Sequence, residues 1–150
     1  MRTTLSIIFL GITFFSFGQQ INNIESKSLG LNIEVPVKWK FNEYTDSLVF
    51  STGDSKIKLT RIIIPEKFRN EFTSEEVFKD IKEECIVYNE LDKAKATELK
   101  FGKNSYIKCK GITTNNYTVV QDYTIYKVDF KRAKLKDEEC ESIVKTIQLP

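Results

Sequence analysis

Few residues in this chain could do chemistry, and they are poorly matched to one another. Its 150 residues include three cysteines, Cys85, Cys109 and Cys140, and no histidine. Without imidazole there is no Ser-His-Asp or Cys-His nucleophile, no histidine general base and no His-containing zinc site. Carboxylates come in runs, at Glu75-Glu76, Glu83-Glu84 and Glu138-Glu139 with Glu141. Acid–base catalysis needs two carboxylates converging across a cleft with separated pKa values, whereas neighbours on one helix diverge into solvent. No D-x-D-x-D-G calcium spacing, glycine-rich phosphate loop or G-x-S-x-G is present. The sequence therefore predicts a non-enzymatic chain with no metal site and no cofactor.

The remaining charged residues point to binding. Arg61 falls in the strand phase of Ile57, Leu59 and Ile63, where an apolar side chain is expected. A charge there needs a partner, because burying it alone is costly. Either an internal ion pair or a strand-end bulge accommodates it, or it anchors a carboxylate ligand or an acidic partner loop. One basic run, Lys127, Lys131, Arg132, Lys134 and Lys136, precedes the acids of 137–141. It reads as a solvated loop or as contact with an acidic partner or a membrane surface. Arg61, Lys131, Arg132 and Lys134 are the candidate partner contacts. Lys and Arg total 23 against 21 Asp and Glu, a net charge of +2, which argues against nucleic acid as the partner.

Each cysteine lies on an apolar face. Cys85 follows Val77, Phe78 and Ile81 at helical spacing, Cys109 shares the phase of Ile107, and Cys140 precedes Ile143, Val144 and Ile147 at offsets of three, four and seven. The primary expectation is three buried, inert thiols behaving as small hydrophobes. The alternative is one disulfide with a spare thiol, whose connectivity the spacing does not reveal.

The elements that must position these residues follow an address. Arg2, an apolar stretch from Leu5 to Phe17, and Ser16 and Gly18 at the −3 and −1 positions predict a signal peptide cleaved between Gly18 and Gln19. The apolar stretch is short of the ~20 residues a membrane span needs, and no later segment is apolar enough to cross. The expected product, residues 19–150, is a single secreted or periplasmic domain.

Within it, Leu31, Ile33 and Val35 alternate with polar residues up to Pro36, which ends a strand. Further strands are expected around Trp39–Phe41 and over 47–51, with Gly53 in a hairpin turn and a return strand from Lys56 to Ile64. Ile57, Leu59 and Ile63 share one face and Ile62 and Ile64 lie on the other, so the second half of that return strand is expected to be buried on both faces. Trp39 is read as core. Thr73 and Glu76 form a capping box that opens a helix running to about Asn89. Strands follow over 97–101, 106–112 and 117–126, the last two turning around Asn115-Asn116, and Val128 and Phe130 prolong the last or start a further one. A helix starts at Asp137, where three acids suit the positive end of its dipole. Strands in runs with short turns make the sheet largely antiparallel and the class α+β, an α/β/α sandwich with a helix on each face.

A strand ending in Val35-Pro36-x-x-Trp39, a strand pair, one long helix, a large antiparallel hairpin and a closing helix with Ile143-Val144-x-x-Ile147 together resemble the PsbP/Mog1/DcrB-like fold over residues 29–149. The resemblance implies a small non-enzymatic protein, since that superfamily includes photosystem-associated subunits, a GTPase-binding factor and chaperone-like adaptors. It implies no catalytic residue. Unlike its lipid-anchored members, this chain lacks an acylatable cysteine near its start. The function expected is binding of another extracytoplasmic protein. One special case is an immunity protein against a secreted toxin. The alternative class is a small-molecule or lipid carrier, with Phe41, Phe50, Phe101, Tyr106 and Tyr117 lining a cavity.

Overall fold

The computed structural model describes residues 20–87, 96–111, 114–131 and 135–150. The leader and its Gly18–Gln19 cleavage point lie outside them, as do Arg132 and Lys134. Strands β1 (Ile21–Ser26) and β2 (Leu31–Pro36) form a two-stranded antiparallel hairpin. Strands β3 (Lys40–Glu43), β4 (Ser47–Thr52), β5 (Ser55–Ile63), β6 (Ala96–Phe101), β7 (Asn104–Lys110), β8 (Thr114–Gln121) and β9 (Thr124–Lys131) form a second sheet. Its order is β3-β4-β5-β9-β8-β7-β6, and every neighbouring pair is antiparallel. The helices are α1 (Ser74–Val87) and α2 (Asp137–Lys145).

Period-two alternation builds the main core. Leu31, Ile33 and Val35 of β2 point inward, as do Leu48 and Phe50, Ile57 and Leu59, and Val128 and Phe130. They meet Cys140, Ile143, Val144 and Ile147, so the β1–β2 hairpin and α2 together cover one face of the large sheet. Trp39 is 2 % exposed and belongs to this core. On the opposite face α1 packs over β6, β7 and β8, with Phe78, Ile81 and Cys85 against Ile107, Cys109 and Ala96. The result is α+β, with the large antiparallel sheet between a helix on each face. The Thr73–Glu76 capping box forms as read. The Glu76 carboxylate accepts from the Thr73 main-chain N–H at 2.8 Å, and the Thr73 hydroxyl accepts from the Glu76 N–H at 3.2 Å.

Four expectations are corrected. First, Cys85 and Cys109 are not free thiols. A disulfide ties α1 to β7, with Cα atoms 5.9 Å apart, and only Cys140 remains a buried free thiol. Spacing placed both side chains on apolar faces but could not show that these two faces oppose each other. Second, Asn115 and Asn116 do not make a turn; they pair within β8, opposite Phe130 and Asp129. Third, 117–126 is not one strand. It breaks at Asp122-Tyr123, where Asp122 takes φ 49°, a left-handed conformation that aspartate tolerates. Fourth, the end of β5 is open, with Ile62 48 % and Ile63 51 % exposed. Ile62 lies on the α1 side, where α1 packs over β6, β7 and β8, and Ile63 lies on the other side, in phase with Ile57 and Leu59 but past the stretch of β5 that the main core buries.

Strand β1 was not expected. Its sequence, Ile-Asn-Asn-Ile-Glu-Ser, has no period-two apolar pattern. Pairing with β2 along its whole length holds it, with Ile24 packed partly against the core.

Candidate functional site

Among the described residues, α1 covers only part of its side of the sheet and leaves the same side of β3, β4, β5 and β9 open. The strand registers decide what it displays. Lys40, Ser51, Lys56 and Lys131 stand in one row across the four strands. The next row holds Asn42, Val49, Lys58 and Asp129, and the one after it Ser47, Thr60 and Lys127. Lys40, Lys56, Lys58 and Lys131 are exposed and Lys127 is half-exposed. Asp129 is the one carboxylate on this face of the four strands, 3.6 Å from Lys127. Lys56 and Lys131 are direct cross-strand partners, an arrangement in which like charges repel.

Beside α1 this lysine field runs into a groove of about 450 Å³. Ile62, Ile125 and the α1 residue Ile81 supply its apolar surface, with the Cys85–Cys109 bridge in its wall and Glu84, Asn116 and Thr118 at its polar margin. Nothing here resembles a catalytic constellation. The groove offers an apolar slot next to a flat cationic surface, which suits recognition rather than turnover.

The residues singled out in the sequence do not come together. Arg61 lies on the core-facing side of β5, opposite Tyr126. Neither accommodation expected for it is found. The ladder runs unbroken from Thr60 through Ile62, so there is no bulge, and among the described residues no carboxylate pairs with it. Its main-chain N–H donates to the Asp46 carbonyl at 2.9 Å, while its buried Nε has no acceptor among the described residues. Lys131 is on the other side of the sheet, opposite Lys56, five register steps away, roughly 17 Å at the rise of an extended strand.

A second charged cluster joins the sheet to α2. Lys108 Nζ lies 2.8 Å from Glu141 and 3.1 Å from Asp137, and Lys110 lies 3.0 Å from Asp137. The Asn115 amide donates to Asp137 at 3.2 Å. Burial alone would lower the Lys108 pKa, but the hydrogen bonds to Glu141 and Asp137 outweigh it and hold the ammonium charged. Hydrogen bonds from Lys110 and Lys108 hold the Asp137 carboxyl below its usual range. Nearby, burial pushes the Cys140 thiol up to about 11, so it is a neutral core group rather than a nucleophile. This cluster is structural.

Its pH dependence follows. Asp137, Glu43 (held by the Ser28 N–H and the Ser26 and Ser28 hydroxyls) and Glu76 (held by Thr73) all have depressed pKa values. A carboxylate depressed on folding stabilises above its unfolded value, and that contribution is lost as pH falls through the folded one. Stability should be level near neutrality and fall below about pH 5. Asp137→Asn should flatten that acid slope in denaturant melts taken at successive pH values. An unchanged slope would remove Asp137 from the account.

The comparisons with known proteins agree with this architecture. The solution structure of cyanobacterial PsbP (CyanoP) from Synechocystis sp. PCC 6803 superposes with a TM-score of 0.54, at 11% identity, over 97% of this chain and 98% of that one. The fold is PsbP-like. A crystal structure from Bacteroides thetaiotaomicron matches with a TM-score of 0.55 at 12% identity, over 85% of this chain and 48% of that one, so this chain spans about half its length. No protein-family model and no curated protein matches the sequence. Among the described residues no helix is long and apolar enough to cross a membrane.

Proposed function

We propose that this chain is an exported, non-enzymatic domain that binds another protein through the uncovered half of its large sheet. The observation carrying this reading is the open side of β3, β4, β5 and β9, whose exposed lysines lead into the Ile62–Ile81–Ile125 groove. The PsbP-like fold supports it by analogy. A carrier role finds less support. Phe50, Tyr106 and Tyr117 are packed into the core, Phe41 is exposed, and the groove beside α1 is lined by none of them. Export rests on the leader of residues 1–18, and N-terminal sequencing of the product should begin at Gln19.

The test places a photocrosslinking residue at Thr60, on the open face, and a control at exposed Glu25 of β1. Irradiation in the native extracytoplasmic fraction should give a discrete protein adduct from position 60 and none from position 25. Equal labelling from both positions, or none from position 60, would overturn the reading.

A further inference from the structure

We infer that the occupant of the open sheet face is an acidic polypeptide segment, which sets carboxylates over Lys56, Lys58 and Lys127 and places one apolar side chain in the groove beside α1. This inference rests on the proposed docking face and adds the chemistry of the partner.

Charge is the first argument. The open side of the four strands carries Lys40, Lys56, Lys58, Lys127 and Lys131 against Asp129 alone. Lys56 and Lys131 oppose each other directly, and neighbouring strands lie only about 4.8 Å apart. Among the described residues no carboxylate pairs with Lys56 or Lys131, and a bound row of carboxylates would offset their repulsion.

Shape is the second. The lysine field is not a free plane, because α1 stands along one side of it, and a helix is about 10 Å thick. A planar anionic bilayer would meet the helix before it reached the lysines nearest the groove. An extended chain is narrow enough to lie on the sheet beside the helix.

The groove supplies the third argument, and a polarity. Ile62, Ile81 and Ile125 make an apolar slot with Glu84 at its margin. The apolar residue of the partner therefore sits over the Ile62 and Ile125 positions beside α1, and its acids run from Lys127, which also lines the groove, along β5 toward Lys58 and Lys56. An anchor in a pocket with charges around it is the arrangement that concentrates binding energy and sets register.

The experiment uses fluorescence anisotropy with a labelled twelve-residue peptide that alternates Glu and Ser around a central Leu. Companion peptides carry Gln for Glu, or Ala for the Leu. The Glu peptide should bind at least tenfold more tightly than the Gln peptide and weaken at least tenfold between 50 and 300 mM salt. The exposed-face variant Lys58→Glu/Lys127→Glu, checked for native circular dichroism, should lose at least tenfold for the Glu peptide and gain for a Lys counterpart. Ile62→Asp should reduce the preference for Leu over Ala at the centre. Equal binding of the Glu and Gln peptides, or an unchanged affinity in the charge-reversed variant, overturns the inference. So does co-sedimentation with phosphatidylglycerol vesicles in preference to peptide. If a position-60 crosslink persists in the charge-reversed variant, protein binding stands and the acidic partner falls. If the crosslink is absent from the unmodified chain, both fall.

Discussion

Replacing the Cys85–Cys109 bridge by alanines lowers the stability of the domain by about 3 kcal/mol. The bridge closes a segment with a sequence separation of 24, and in the chain-entropy account a loop of that size costs the unfolded state roughly that much. The local structure has little to compensate. Among the described residues, the apolar cluster beneath α1 has Cys85, Ile107 and Cys109 buried, with Phe78, Ile81 and Ala96 partly so. The opposite face is far larger, with Phe50, Phe130 and Tyr117 among its members. The loss should therefore be local in character, with amide exchange accelerating more in α1 than in α2. Denaturant melts of Cys85→Ala/Cys109→Ala, and of the parent with and without reductant, measure it. A loss below about 1 kcal/mol, or equal acceleration in both helices, would show that packing and not the bridge holds α1 to the sheet.

Lys108→Ala should cost a comparable amount, about 3 kcal/mol. The Lys108 side chain is 11% exposed and is held between Asp137 and Glu141. Removing it leaves two neighbouring carboxylates partly buried, with Lys110 beside Asp137 as the remaining cation. It also removes the ammonium placed 5.7 Å from the centre of the Tyr117 ring. Asp137 and Glu141 keep some access to water, which holds the loss to the lower end of what a broken buried pair costs. Lys110→Ala is a useful contrast. Its side chain is 60% exposed, and it should lose under about 1 kcal/mol. The triple change Lys108→Met/Asp137→Asn/Glu141→Gln, which leaves only the exposed Lys110 without its partner, should recover at least half of the Lys108→Ala loss. Urea melts of the four proteins decide the matter. A triple variant as unstable as Lys108→Ala would mean that the ion pairs of Lys108 are themselves stabilising, since Met keeps the apolar stem and neither carboxylate is left charged.

What was legible in the sequence was whatever a local period can encode. Leu31, Ile33 and Val35 announce β2, and Cys140, Ile143 and Val144 announce the buried stripe of α2. Thr73 and Glu76 mark the start of α1 to within a residue. The misplaced features depend on what lies across space. Ile62 and Ile63 looked doubly buried because their composition suits a core, yet Ile62 faces the side on which α1 packs over β6, β7 and β8, and Ile63 lies on the other side, past Leu59, the last core residue of β5. Cys85 and Cys109 each showed an apolar face, and only the packing of a helix on a strand made them partners. The break at Asp122-Tyr123 carried a weak signal, an aspartate inside an otherwise strand-like run, which the apolar residues on either side outweighed.

The candidate site was less legible still. Lys56 and Lys58 alternate with Ile57 and Leu59, and Lys127 and Lys131 alternate with Val128 and Phe130. Each set read alone is the ordinary wet face of a half-buried strand. They become one surface only because β5 pairs with β9 in a register that puts Lys56 against Lys131. The sequence singles out Lys131, in the basic run that begins at Lys127, but couples it with Arg61, which the structure places on the other side of the sheet.

Cys140 lies beneath α2, on the side of the sheet away from the bridge. Once the strands have assembled, the sheet itself separates that thiol from both possible mates, so two of the three conceivable pairings are barred by topology. The order of events in oxidative maturation then becomes decisive. Oxidant that reaches a chain after its strands have paired can make only the native cross-link. Oxidant that arrives earlier can join Cys140 to either mate and strand the chain as a scrambled isomer, which must exchange thiols before α1 and α2 can take opposite sides.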